Sequence, residues 1–174
     1  LVTQISAAIA SLAWMFAEWI KFGKPSVLGI VTGMVAGLAS ITPASGFVGP
    51  IGAIFIGFVG GLGCFFATQY IKRVLKIDDS LDVFSVHGVG GMIGLLLLSI
   101  FSAEGFGGIG LDEGGVLGLF ITQVIGIIST LLWCVIVSYI LLKLINIFIP
   151  LRISSEEEED GLDLVLHEES GYTL

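Results

Sequence analysis

The chain has 174 residues, of which 55% are hydrophobic and 13% charged, with a formal net charge of −8. Soluble domains run at roughly 45–50% apolar and 25% charged, so a pair of water-soluble domains is excluded. The charge is uneven: Arg152 stands against Glu156, Glu157, Glu158, Glu159, Asp160, Asp163, Glu168 and Glu169, and such an acidic end argues against nucleic acid and anionic lipid, which favour Lys/Arg clusters, while leaving a basic protein surface as a partner.

Apolar blocks separated by short polar breaks predict an all-α membrane protein with about five transmembrane helices. In chain order these are Leu1–Ile20, Val27–Ile41, Val48–Ile71, Val83–Phe101 and Gly115–Ile149. Membrane strands would alternate apolar and polar residues, whereas these blocks are apolar on every face. The division expected is a transmembrane region over residues 1–149 and a cytoplasmic tail over 150–174. No Met precedes Leu1 and no basic segment precedes the first block, so a signal peptide is not expected and a piece of a longer protein is.

The breaks carry an orientation. Lys21 and Lys24 follow the first block, and Lys72, Arg73 and Lys76 follow the third, which assigns both loops to the cytoplasm. The Thr42–Pro50 break has no Lys or Arg, and Ser102–Gly114 holds only Glu104, Asp112 and Glu113, so both belong outside. Lys143 and Arg152 then bring the end of the fifth block, and the acidic tail, to the cytoplasmic side of a cell membrane. At ~1.5 Å per residue the fifth block runs roughly 50 Å, more than the ~30 Å hydrocarbon core, so it must tilt or project.

Glycines four apart recur in three successive blocks: Gly29, Gly33 and Gly37, then Gly57 and Gly61, then Gly90 and Gly94. Such ridges let helix backbones approach closely, as in compact transporter or channel bundles. Thr42-Pro43-Ala44-Ser45-Gly46 ends the second block; it reads either as a simple helix end or as a stretch lining a path.

His87, in Asp82-Val-Phe-Ser-Val-His87-Gly-Val-Gly-Gly91, is the most informative side chain. Ionisable groups in membrane helices are costly and tend to face a pathway or a polar partner, and imidazole switches between donor, acceptor and cation near neutrality. His87 is therefore either a packing histidine or one that accepts a proton or hydrogen bond from a small nitrogenous solute. The glycines at 88, 90 and 91 leave room for a neighbouring helix or for a lumen. Asp82 either caps the first turn of the fourth block or holds charge near a pore mouth. Cys64 and Cys134 are single thiols in apolar blocks, without metal-type spacing. No phosphate-cradling GxxxxGK[ST] and no HExxH stretch is present, which counts against a pump driven by nucleotide hydrolysis and against a metalloprotease; no enzyme, metal or cofactor is expected.

Three stretches carry a resemblance: AGLASITPASGFVGPIGA at 36–53, IKRVLKIDDSLDVFSVHGVGGMIG at 71–94 and LRISSEEEEDGLDLVLHEESGY at 151–172. In that order and spacing they resemble the ammonium transporter (Amt/Mep/Rh) family, and within it the microbial Amt branch. The resemblance implies an eleven-helix subunit of two inverted five-helix repeats and a final tilted helix, assembled as a trimer with one pore per subunit. Residues 1–149 would be its last five helices. By the same resemblance His87 is the second of a twin-histidine pair where ammonium gives up its proton, and Val83 and Val35 form a narrow apolar exit. Asp82 and Thr42 are structural residues near that pore. Gly161, Leu162, Asp163, His167 and Tyr172 belong to a regulatory tail that docks the trimeric PII signal protein. Two departures stand out: Val165 sits where some relatives carry a phosphorylatable hydroxyl, and Glu168 replaces the usual glycine after the tail histidine. The expected function is ammonium transport; an ammonium sensor with an Amt-like body is the alternative, and a Rh-type gas channel is disfavoured by the GLD…GY tail.

Overall fold

The computed structural model describes residues 1–171, and all its regular elements among these are helical. They are α1 (Val2–Phe22), α2 (Val27–Ile41), α3 (Pro50–Arg73), a π-helical turn (Val83–Gly88) leading into α4 (Val89–Phe101), a 3-10 turn (Glu104–Phe106), α5 (Gly115–Phe148), α6 (Ser155–Asp160) and α7 (Leu162–His167). The chain divides into two compact units, Leu1–Ile127 and Ile128–Leu174. Among the described residues four stretches are long and apolar enough to cross a membrane: Val2–Phe22, Pro50–Arg73, Val83–Phe101 and Gly115–Phe148. The fifth, α2, has 15 residues, which at 1.5 Å each gives about 22 Å, short of a ~30 Å core.

The predicted ends shift where local chemistry overrides hydropathy. The first helix runs on to Phe22 because Gly23, at φ +79°, closes it with an N–H bond to Trp19 O at 2.9 Å. The third begins at Pro50 rather than Val48: proline's fixed φ and missing N–H suit the first helical position. Between α1 and α2, the Ser26 N–H donates to Glu18 Oε2 at 2.8 Å while Ser26 Oγ accepts from Gly29 N at 2.9 Å. One serine thus starts α2 and ties it back to α1.

Within the first unit, α1, α2 and α3 meet through small residues. Ser6, Ala7, Ala10 and Ala13 of α1 are buried. A Cβ on Gly37 would stand 2.5 Å from Ser6 O and 2.6 Å from Ala10 Cβ, one on Gly57 would stand 2.5 Å from Ser6 O, and one on Gly61 2.8 Å from Ala10 O. Ser6 Oγ donates to Gly37 O at 2.9 Å across this contact. Gly37 of α2 and Gly57 and Gly61 of α3 are therefore backbone seats for α1, the close approach that their spacing allows. Larger side chains fill the remaining spaces: Ile41, Ala53, Ile56, Leu98 and Phe101 in one cluster, and Trp14, Ala36, Cys64, Phe65 and Val86 in another.

The loops gather as alternating crossings require. Ile109 N donates to Phe47 O at 3.1 Å, joining the two breaks that lack Lys and Arg. At the other ends of the helices Lys21 Nζ lies 5.4 Å from the Phe65 ring and the Arg73 guanidinium 5.2 Å from Phe22, which brings two basic breaks together.

Replacing Gly57 by leucine should unseat α1, since overpacking of a tight contact costs roughly 1–3 kcal/mol. Thermal unfolding of the detergent-solubilised protein should shift down, whereas Gly46→Ala, whose added carbon meets nothing within 4 Å, should leave it unchanged.

Candidate functional site

The site is built on the turn that starts the fourth spanning segment. From Val83 to Gly88 the chain forms a π-helix, with Val89 N–H reaching Phe84 O five residues back. Such turns are rare, and they are frequent at functional sites. The turn divides its side chains cleanly. Ser85 and Val86 are buried, and the Cys64 thiol donates to Val86 O at 3.6 Å from the core side. Val83, Phe84 and His87 are exposed.

The glycines after His87 have different tasks. A Cβ on Gly90 would stand 3.2 Å from both Cys64 Sγ and Ser40 Oγ, so Gly90 belongs to the helix crossing. One on Gly91 would meet nothing within 4 Å. Gly91 leaves open space beside the imidazole's segment, and a Cβ on Gly88 would press on the Phe84 ring at 2.9 Å.

The capping residue differs from the one expected. Asp82 directly precedes the turn, but its backbone is left-handed, φ +57°, and its carboxylate makes no cap bond. It instead pairs with Lys72 Nζ at 2.8 Å and accepts from Ser85 Oγ at 3.4 Å. The cap is Asp79. Its carboxylate accepts from Val83 N at 2.7 Å and from Phe84 N, Ser85 N and Ser85 Oγ, each at 3.1 Å. Partial burial pushes the Asp79 pKa up, and the bonds from Ser85, Val83 and Phe84 more than reverse this, holding the carboxyl below the ordinary aspartate range. Of the two sequence readings of Asp82, the cap is not the one the structure shows; the usable signal for the cap was a further aspartate one turn earlier.

Val35 is partly buried and packs against the cluster that contains Val86, so it and the π-turn share one core. Thr42 is exposed, and its hydroxyl donates to Leu38 O at 2.6 Å, which ties it to its own helix.

In the tail, Ser154 and Glu157 form a reciprocal capping box that opens α6. The bonds from the Ser154 backbone and hydroxyl hold the Glu157 carboxyl below its usual range. Gly161, at φ +96°, separates α6 from α7. Leu162, Asp163 and His167 lie on α7 and are exposed. Glu168 ends α7 in a left-handed conformation, φ +54°, with its N–H bonded to Asp163 O and Leu164 O; this is the position where glycine is preferred. Tyr172 lies outside the described residues. Among the described residues no group of three or more His, Cys, Asp or Glu side chains is placed to hold a metal ion.

The helices and this turn define a multi-pass helical membrane protein with an exposed imidazole on the same turn as exposed Val83 and Phe84. Comparison with known proteins is specific. The sequence profile of the Ammonium Transporter Family matches residues 1–172, and the chain belongs to that family. It is 46% identical over 173 residues to "Ammonium transporter Amt1" of Archaeoglobus fulgidus, covering 99% of this chain and 44% of that protein. Its structure is similar to that of Saccharomyces cerevisiae Mep2, with 36% identity, a TM-score of 0.77 and coverage of 89% and 36% of the two chains. It is also similar to a "Sensor Amt Protein", with 29% identity, a TM-score of 0.86 and coverage of 95% and 40%. The chain thus spans less than half the length of the relatives it matches.

The depressed Asp79 carboxyl predicts a pH dependence. A free aspartate protonates near pH 3.9, so the clamp's contribution is complete above that value and is lost only as pH falls through the lower folded pKa. Amide exchange at Val83–Ser85, corrected for its intrinsic pH dependence, should stay slow at pH 4.5 and accelerate on further acidification. In Asp79→Asn that step should vanish.

Proposed function

We propose that the protein to which this chain belongs carries ammonium across the cell membrane, and that these residues supply one wall of its pore. The observation that carries the reading is the exposure of His87 beside Val83 and Phe84 on a π-turn whose other face is buried. Family membership and the names of the relatives support transport rather than an enzymatic reaction. The division into a transmembrane region, 1–149, and a cytoplasmic tail, 150–174, belongs to the same proposal.

The chemistry follows from the cost of desolvation. Moving a bare ammonium ion into an apolar bore costs on the order of tens of kcal/mol, whereas neutral ammonia loses only its hydrogen bonds. An imidazole at the bore can accept the proton or hydrogen-bond the solute, and Val83 and Val35 then line the apolar exit. Potassium and sodium have no proton to give up, so they meet the full penalty. Asp82 and Thr42 stay outside the conducting step, as structural residues near the pore. The wall opposite His87, with the partner histidine, comes from outside these residues, and three such subunits form the trimer.

The tail, through Gly161, Leu162, Asp163, His167 and Tyr172, docks a PII-type signal protein on the cytoplasmic side. A second reading keeps the same body but uses it as an ammonium sensor; the likeness to a sensor Amt protein favours retaining it.

In the full-length protein, His87→Ala should lower ammonium flux by roughly a hundredfold, the scale of a lost proton-transfer group, while His87→Glu should admit potassium. Unchanged flux and selectivity in His87→Ala would remove the imidazole from the path. A protein ending at Ile149 should bind PII weakly or not at all in a pull-down; full-strength binding would move the docking surface to the loops.

A further inference from the structure

We propose that Asp79, outside the pore, is the positioning residue that sets substrate discrimination by holding the His87-bearing turn in its π-helical pitch. The inference rests on the transport reading above and adds to it a residue that contacts no solute.

The argument begins with three amides. In a continuous α-helix the N–H groups of Val83, Phe84 and Ser85 would bond to carbonyls four residues back, at Asp79, Ser80 and Leu81. Here the Asp79 carboxylate receives all three, together with the Ser85 hydroxyl. It therefore stands in for a missing turn of helix. The preceding residues are free to take another course, which they do: Asp82 is left-handed, and its own carboxylate is drawn to Lys72 at the end of α3. With Asp82 committed there, Asp79 is left to receive the amides.

Without that carboxylate the amides need new acceptors, and the nearest alternative is an ordinary α-turn extending back toward Asp79. An α-turn and a π-turn differ by one residue in the bonding step, so conversion rotates the residues before the change relative to those after it. His87 lies close to α4, whose Gly90 and Gly94 are seated on Ser40. Val83 is four residues nearer the chain start and at the free end of the turn. Conversion would move Val83 more than His87. The clamp thus governs the apolar exit at Val83 rather than the imidazole, and its loss should widen or misalign the narrowest part of the route. Solute size is what such a change affects.

The test compares Asp79→Asn, Ser85→Ala and His87→Ala in the full-length protein, measuring ammonium and methylammonium flux together with hydrogen exchange. Asparagine keeps the shape but loses the charge and one acceptor oxygen. Asp79→Asn should raise the methylammonium-to-ammonium flux ratio by about tenfold, the scale of one lost charge-assisted bond. Exchange should quicken at Val83–Ser85 and stay unchanged in α1–α3. Ser85→Ala, which removes the hydroxyl's bonds to Asp79 and Asp82 but leaves the three amide bonds in place, should give a smaller shift in the same direction. A merely structural role would lower the amount of folded protein without moving the ratio per molecule. An unchanged ratio in folded Asp79→Asn, or unchanged exchange at Val83–Ser85, overturns the inference. If His87→Ala abolishes flux while the Asp79→Asn ratio is unmoved, only the role of Asp79 falls; if His87→Ala leaves flux intact, the transport reading falls and the inference with it.

Discussion

A peptide amide in hydrocarbon has no water to bond, and nearly every feature of this chain answers that constraint. The spanning segments are helical because a helix satisfies its own amides. Their ends need other partners, and the sequence provides them: Ser26 for α2, proline's absent N–H for α3, and the Gly23 turn for the carbonyls of α1. The Asp79 carboxylate is the strongest answer, because it serves three amides at once and so frees the chain to start a spanning segment with a turn that is not an α-helix. The amides that open the π-turn, at Val83, Phe84 and Ser85, are the ones it holds.

The second theme is closeness. Hydrophobic attraction is weak between helices in lipid, so contact depends on backbones fitting together. Ser6 and Ala10 lie against Gly37, Gly57 and Gly61, and the Ser6 hydroxyl bonds the Gly37 carbonyl. A frame this tight has little freedom to adjust, and it gives the buried side of the π-turn, Ser85 and Val86, a fixed seat. The other side of the turn, with Val83, Phe84 and His87, is exposed.

Much of the frame was legible in the sequence. The second helix spans Val27–Ile41 as its hydropathy indicates, and the glycine spacing foretold where backbones meet. Hydropathy could not place the start of α3, because Val48 is as apolar as a helical residue and only Pro50 marks the first turn. It also could not distinguish a π-turn from an α-turn in Val-Phe-Ser-Val-His-Gly, since apolar residues fill both. Sequence could not decide the role of Asp82 for a related reason: the rule that the cap immediately precedes the helix presumes an α-helical start, and the left-handed Asp82 turns its carboxylate toward Lys72 instead. Of the glycines beside His87, periodicity could not say which faced a helix and which faced open space. That division between Gly90 and Gly91 emerged only with the neighbours in place.

The left-handed Glu168 has a consequence for the tail. A side chain in that backbone region costs roughly 1–2 kcal/mol that glycine avoids, and it sits at the end of a helix of only six residues. Isolated helices that short are marginal in water. Helix α7 therefore rests in a shallow energy well, from which a modest touch by another molecule can unwind or extend it at little thermodynamic expense.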